Sequence, residues 1–184
     1  MKEIRTERTI LKELRPEDVT QTYADALNDP EVVMWTEARF SRWSLDKARD
    51  YVAENGIEKG SLLIGIFIKG KDGSEKHIGN IRFSSFAKNH NRCYVGIMVF
   101  DRAEWGKGYA SEALKAAVKY AFKELKLHKI IADYYAINKS SGKVFEKCGF
   151  RKEADLKGQF FIEGRYVDGV GVAIINPSER SSKK

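Results

Sequence analysis

Six consecutive residues, Trp105-Gly106-Lys107-Gly108-Tyr109-Ala110, carry the clearest chemistry in the chain. They fall between a stretch patterned as a β-strand and the start of a long helical pattern. A helix start leaves its first N–H groups unpaired at the positive end of the helix dipole. Glycines there let an anionic group approach the backbone. Ser111 and Glu112 follow, residues suited to a first helical turn. The chemistry on offer is phosphate binding, and the plain alternative is a glycine-containing loop with no ligand. Two nucleotide-binding patterns are excluded. Gly106-x-Gly108-x-x-Ser111 lacks the third glycine of the dinucleotide fingerprint and lies behind an antiparallel meander rather than in an opening βαβ unit. A phosphate loop needs Ser or Thr after Gly-Lys, and here Lys107 is followed by Gly108.

Other reactive types are sparse. His77, His90 and His128 are scattered, and no pair of them has metal-ligand spacing. Cys93 and Cys148 are too few for a disulfide framework and are expected as reduced thiols in or near the core. No metal is expected.

The elements that must position the glycine turn follow from periodicity. A first strand is expected over Arg8 to Leu14. Pro16, at a first helical turn with Glu17 and Asp18 behind it, opens a helix running to about Leu27. A short helix follows Pro30, and another begins at Ser44, an N-cap before Leu45, Ala48, Tyr51 and Val52. Leu62–Ile68, His77–Phe86 and Arg92–Phe100 form an antiparallel meander, with Lys71-Asp72-Gly73-Ser74 as a turn. From Ala110 the period changes: Ala113, Leu114, Ala117, Ala121 and Leu125 share one helical face. Lys129–Tyr135 is expected as a strand, Lys139–Cys148 as a short helix closed by Gly149, and Arg151–Leu156 and Tyr166–Asn176 as the last strands. The order implies a mixed sheet with helices on its faces. No repeat or Pro/Gly-rich linker divides the chain, so residues 1–177 are expected as a single domain, with 178–184 as a basic, flexible tail.

The composition, 42% hydrophobic and 32% charged, is that of an ordered globular chain rather than a disordered one. No apolar run approaches the roughly 20 residues a membrane span needs. Met1 to Glu13 is charged throughout and lacks a signal peptide's apolar core, so the expected location is the cytoplasm. The net charge of +7 suits acidic or phosphorylated partners. No arginine-rich stripe with interleaved aromatics points to nucleic acid.

The glycine turn resembles the Gln/Arg-x-x-Gly-x-Gly/Ala motif of the GNAT acetyltransferases, with Trp105 in place of the usual first residue. Trp-Gly-Lys-Gly-Tyr-Ala followed by Ser-Glu-Ala-Leu is similar to the RimJ/RimL branch. A second stretch matches independently: Asn138-Lys139-Ser140-Ser141, then Phe145-Glu146-Lys147-Cys148-Gly149-Phe150. Arg8 to Asp18 and Asp29-Pro30-Glu31-Val32 also resemble this branch.

The resemblance implies the GNAT fold, a central mixed, mostly antiparallel twisted sheet flanked by helices. It implies acetyl-CoA as donor, without a metal, and direct attack of a neutral primary amine on the thioester. By the same resemblance, Trp105, Gly106, Lys107, Gly108, Tyr109 and Ala110 wrap the coenzyme A pyrophosphate. Met98, Val99 and Phe100 run beside the pantetheine, and Asn138 contacts the cofactor arm. The tyrosine that many relatives carry seven residues after the Asn is Phe145 here, and Ser141, on the same helix, matches a serine that this branch places near the thiol. Tyr94 stands where relatives often have a Glu two residues before the strand glycine, Gly96. Glu37 lies in the segment that usually covers the acceptor. Ser141, Glu37 and Tyr94 are therefore the candidate catalytic residues. Each has a bland alternative: a helix cap, a surface carboxylate, a lining ring. Glu163 and Asp168 fall near a C-terminal hairpin that often borders the acceptor. The acceptor is expected to be a protein or peptide N-terminus or a small amine, with an amino-sugar nucleotide as the alternative. A coenzyme A sensor with lapsed catalysis and a homodimer both stay open.

Overall fold

The computed structural model forms one eight-stranded sheet with helices on both faces. Residues 1–70 and 72–180 are described. In chain order the elements are β1 (Ile4–Arg5), β2 (Thr9–Glu13), α1 (Gln21–Ala26), α2 (Pro30–Val33), α3 (Leu45–Ala53), β3 (Ser61–Lys69), β4 (Glu75–Ala87), β5 (Arg92–Val99), α4 (Tyr109–Lys123), β6 (Lys129–Tyr135), α5 (Lys139–Lys147), β7 (Arg151–Ile162), β8 (Arg165–Ile175) and α6 (Pro177–Arg180). The strand order is β1-β2-β3-β4-β5-β6-β8-β7. Every neighbouring pair is antiparallel except β5 and β6, which α4 joins as a parallel crossover. This is the mixed, mostly antiparallel architecture expected from the sequence. The expected tail begins within α6, and residues 181–184 lie outside the described residues.

Two cores sandwich the sheet. β3 is buried at eight successive positions because both its faces are covered. Its Leu62, Ile64, Ile66 and Ile68 pack with Ala113, Leu114, Ala117 and Ala121 of α4 and Phe145 of α5. Its Leu63 and Phe67 pack on the other side with Tyr23, Ala24, Val33, Ala48 and Val52 from α1, α2 and α3. The period of two along the strand thus divides one apolar run between two layers.

Three expectations change. The helix from Pro16 to Leu27 is broken: Pro16–Asp18 is a single 3₁₀ turn, Val19 is extended, and Thr20 caps a new helix by accepting from the Tyr23 N–H. Val19 is only 3% exposed, so its burial sets the direction of the chain there. A short strand, β1, precedes the first expected one and pairs with it. β7 runs six residues past Leu156, across a bulge at Gly158, which has φ +56°. Asp168 of β8 secures that bulge by accepting from Lys157 Nζ at 2.6 Å and the Gly158 N–H at 3.0 Å. The hairpin then closes through Glu163 (φ 50°) and Gly164 (φ 77°), the two-residue turn that suits strand twist. Of the expected turn before β4, Lys71 is outside the described residues, while Asp72 accepts from the Ser74 N–H and hydroxyl.

His77 is a structural histidine with a consequence for stability. Its ring stacks on Phe67 at 4.7 Å and meets Phe100 edge-on at 4.8 Å. Nε2 donates towards Gly79 O and Asn80 Oδ1, leaving the buried Nδ1 without a partner among the described residues. Burial pushes its pKa down to about 4. The folded pKa lies below the unfolded one, so the stability this gives is complete above roughly pH 6.5 and is lost as pH falls towards 4. Acid titration of the unfolding free energy should show a loss on the order of 3 kcal/mol across that window. His77→Gln should flatten it, and an unchanged acid slope in that variant contradicts the assignment.

Candidate active site

The parallel pair β5 and β6 stays in register only from Arg92↔Lys129 to Tyr94↔Ile131. Beyond that point β5 continues along β4 to Val99, and β6 continues along β8 to Tyr135. The two strands splay, and beyond Tyr94 their facing backbone edges have no ladder partner among the described residues. Because the strands are parallel, both chain exits lie at the splayed end, and each leads into a helix start: α4 after β5, α5 after β6. A wedge with two helix N-termini at its mouth is where an anionic, extended ligand fits. A Cβ built on Gly96, in the wedge, would meet no atom within 4 Å.

The glycine turn forms one lip. Gly106 (φ +75°) and Gly108 (φ +89°) are left-handed, and Gly108 is the N-cap of α4 without a capping side chain. A Cβ at Gly106 would meet open space. The turn is therefore a cradle of backbone N–H groups with room above it. Trp105 donates its indole N–H to Val99 O at 2.7 Å, which ties the turn to the end of β5. Lys107 pairs with Glu104 at 2.8 Å, and Tyr109 and Ala110 begin the helix. Met98 and Val99 are partly buried at the end of β5. Phe100 is 4% exposed in the core against Tyr23, and its N–H is already bonded to Ile78 O.

α5 forms the other lip. Asn138 is 9% exposed and caps the helix: Oδ1 accepts from the Ser141 N–H at 3.1 Å and from Ser140 Oγ at 2.7 Å. The cap is thus the asparagine, and the Ser141 hydroxyl has no hydrogen-bond partner among the described residues. Phe145 is buried, stacked near-parallel on Tyr134 with centroids 6.0 Å apart. Gly142, in the interior of the helix, makes room for that ring: a Cβ there would lie 2.9 Å from Tyr134 Oη. At the far end, Gly149 (φ +86°) closes the helix through Gly149 N→Glu146 O and Phe150 N→Phe145 O.

Strand alternation sorts the wedge into two faces. Cys93, Val95, Ile130 and Ala132 point to the α4/α5 face. Tyr94, Gly96, Ile131, Asp133 and Tyr135 point to the opposite face. There Tyr135 stacks on Phe160 at 4.0 Å and meets Trp35 edge-on at 5.2 Å. Tyr94 is 40% exposed. Arg39 reaches over Tyr135 and donates to Met34 O at 2.9 Å and Phe161 O at 2.7 Å. Two of the three buried polar side-chain atoms left unpaired among the described residues, Tyr135 Oη and Arg39 Nε, lie here. Glu37, exposed in the 3₁₀ turn Glu37–Phe40, is close enough that its charge acts on the Tyr135 hydroxyl. Beside this face a cavity of about 530 Å³ is lined by Met34, Arg39, Phe40, Arg42, Ile162 and Glu163, among others.

Two residues here escaped the sequence reading. Asp133 sits on the open face at the splay, and its charge also acts on Tyr135. It makes no ion pair among the described residues, and although the residue is exposed, partial desolvation by its neighbours pushes its carboxyl above the usual carboxylate value. A lone Asp inside the otherwise apolar run Ile130–Tyr135 was the available signal. Arg8 is the other, with contacts to Lys107 and Glu112. No group of His, Cys, Asp or Glu among the described residues could hold a metal ion.

Residues 8–151 match the family model described as an acetyltransferase (GNAT) domain. The chain is 32% identical over 153 residues to a probable N-acetyltransferase, YjcK, of Bacillus subtilis (strain 168), covering 76% of this chain and 82% of that protein. It is 35% identical over 108 residues to the [ribosomal protein uS5]-alanine N-acetyltransferase of Escherichia coli (strain K12), covering 58% of this chain and 55% of that one. Its fold superposes on RimL, a ribosomal L7/L12 alpha-N-protein acetyltransferase solved with coenzyme A. There the TM-score is 0.83 at 16% identity, covering 95% of this chain and 98% of that one.

Proposed function

Because this chain belongs to the GNAT family and is an acetyl-CoA-dependent N-acetyltransferase, we propose that it acetylates the N-terminal amine of a peptide or protein by direct attack across the β5/β6 wedge. When bound, acetyl-CoA supplies an activated thioester carbonyl. The N–H groups of Gly106 to Ala110 hold the pyrophosphate, Trp105 and Lys107 brace that turn, and the edge of β5 at Met98 and Val99 receives the pantetheine arm, with Phe100 packed in the core just past the strand's end. Asn138 fixes the start of α5 against that arm. Asp133, on the open face, takes the proton from the attacking amine as the N–C bond forms. Tyr94 lines the approach, and Glu37 at the rim passes the proton to solvent. Ser141 donates its unpaired hydroxyl to the sulfur as the C–S bond breaks, and water protonates the thiolate.

The single observation that carries the acceptor class is the character of the mouth. Phe40 (65% exposed), Phe161 (49%) and Tyr166 (74%) stand in solvent beside the cavity that Arg39 and Arg42 border. Exposed aromatics are ordinary contacts for a polypeptide. The two arginines disfavour a polycation. Arginines beside aromatics also suit a diphosphate, so an amino-sugar nucleotide is the second reading. Thiol release should be measured over a panel of N-terminal peptides, spermidine and an amino-sugar nucleotide. Peptides should be the best acceptors. Turnover of the nucleotide with inert peptides establishes the second reading instead.

Ser141→Ala tests the leaving-group role. A hydrogen bond to an ionising sulfur contributes about 1.5–3 kcal/mol, so turnover should fall about 10- to 150-fold with acetyl-CoA affinity little changed. Wild-type single-turnover rates in this variant contradict the role.

A further inference from the structure

We propose that Arg8 is a positioning residue for the coenzyme A turn, an inference that rests on the pyrophosphate reading of Gly106 to Ala110. Two left-handed glycines make this turn costly to order, since glycine loses more backbone freedom on folding than any other residue. Something outside the turn must hold it. Arg8 Nη1 donates to Lys107 O at 2.9 Å, in the middle of the turn. A trans peptide is planar, so the N–H of Gly108 points opposite to that carbonyl. Anchoring Lys107 O on the Arg8 side therefore aims the Gly108 N–H away from Arg8. The position a Gly108 Cβ would take lies 3.4 Å from Arg8 Nη2, which places the guanidinium against the back of the turn.

Arg8 is itself fixed. Its Nε and Nη2 each reach Glu112 Oε2 at 2.7 Å. Glu112 Oε1 accepts from the Arg8 N–H at 2.7 Å and from Thr6 Oγ1 at 2.6 Å. Burial raises the Glu112 pKa, but the bonds from Thr6 and Arg8 more than reverse this, leaving it below the usual carboxylate value. The guanidinium also lies over the Tyr109 ring, 4.9 Å from its centroid. The segment joining β1 to β2 thus grips α4 on both sides of its N-cap, at Lys107 and at Glu112. One planar fork makes both contacts. A lysine at position 8 keeps the charge but cannot span the two.

The test is the kinetics of Arg8→Lys and Arg8→Ala. In both, KM for acetyl-CoA should rise about tenfold or more, with kcat at saturating acetyl-CoA and the acceptor KM changed less than about threefold. Glu112→Gln, which frees the fork, should shift the same parameter in the same direction. Three results overturn the proposal. One is a wild-type acetyl-CoA KM in the Arg8 variants. Another is a full rescue by lysine, which would mean that charge alone matters. The third is a parallel loss of both KM values, kcat and melting temperature, which marks a general structural role. Gly106→Asp separates the two layers. If it keeps coenzyme A binding, the pyrophosphate reading fails and the proposal with it. If it loses binding while the Arg8 variants stay wild-type, the proposal alone fails.

Discussion

Gly106→Asp is expected to abolish the rise in melting temperature that coenzyme A gives the wild-type protein. A ligand that binds only the native state stabilises it by about 2.7 kcal/mol at a concentration of 100 Kd. For a domain of this size that is a shift of about 5–10 °C. Gly106 is left-handed with φ +75°, a conformation that Asp tolerates better than most residues. Its Cβ would meet nothing within 4 Å, so the variant should fold. The new carboxylate would occupy the open side of the cradle and repel the pyrophosphate. Gly108 is the poorer probe, because a side chain there would meet Arg8 before any ligand. An unchanged shift in folded Gly106→Asp removes the turn from the cofactor site.

The second large effect is expected at Asp133. Asp133→Asn should lower kcat by about 10²–10⁴, the range for losing a positioned proton acceptor. Acetyl-CoA affinity should be retained, since the side chain lies on the open face, away from the turn. The pH dependence follows from the direction of its shift. Partial desolvation raises the pKa of the exposed Asp133, and only the deprotonated form accepts a proton, so the active fraction appears at higher pH than for an ordinary carboxylate. The wild-type rate should therefore rise with pH first through Asp133 and then through the acceptor amine. The Asn variant should keep only the amine step. Wild-type turnover in Asp133→Asn would return the base role to Glu37 or Tyr94.

Much of the fold could be read from the sequence because local patterns and global packing agree. The apolar positions Ala113, Leu114, Ala117 and Ala121 share one helical face, and all are buried against the sheet. The run Lys129–Tyr135 forms β6 with the bounds its pattern implied. The broken first helix was not legible: Pro16-Glu17-Asp18 is a sound helix opening, and only the tertiary burial of Val19 diverts the chain. The extension of β7 was hidden because Lys157-Gly158-Gln159 has the polarity of a turn, while its strand character depends on Asp168 across the ladder. The glycine turn announced itself because its chemistry is local. Arg8 did not, because its partners Lys107 and Glu112 lie 99 and 104 residues away in sequence. Asp133 left only the signal of a lone carboxylate in an apolar run, since its role depends on where β5 and β6 part, and no spacing encodes a splay. Trp105 looked like a departure from the motif. Its indole bond to Val99 O shows how a residue of another type can hold the same turn.

Acetyl transfer across the β5/β6 wedge is tested by thiol release from acetyl-CoA in single-turnover mixing with an N-terminal peptide, following wild-type, Gly106→Asp and Asp133→Asn proteins over a range of acetyl-CoA concentrations. Wild type should show saturable release coupled one-to-one to the acetylated peptide. Gly106→Asp should need far more acetyl-CoA to approach the wild-type rate, and Asp133→Asn should saturate at the wild-type concentration with a rate at least about a hundredfold lower. Wild-type saturation in Gly106→Asp, together with a wild-type plateau in Asp133→Asn, would contradict transfer across the wedge.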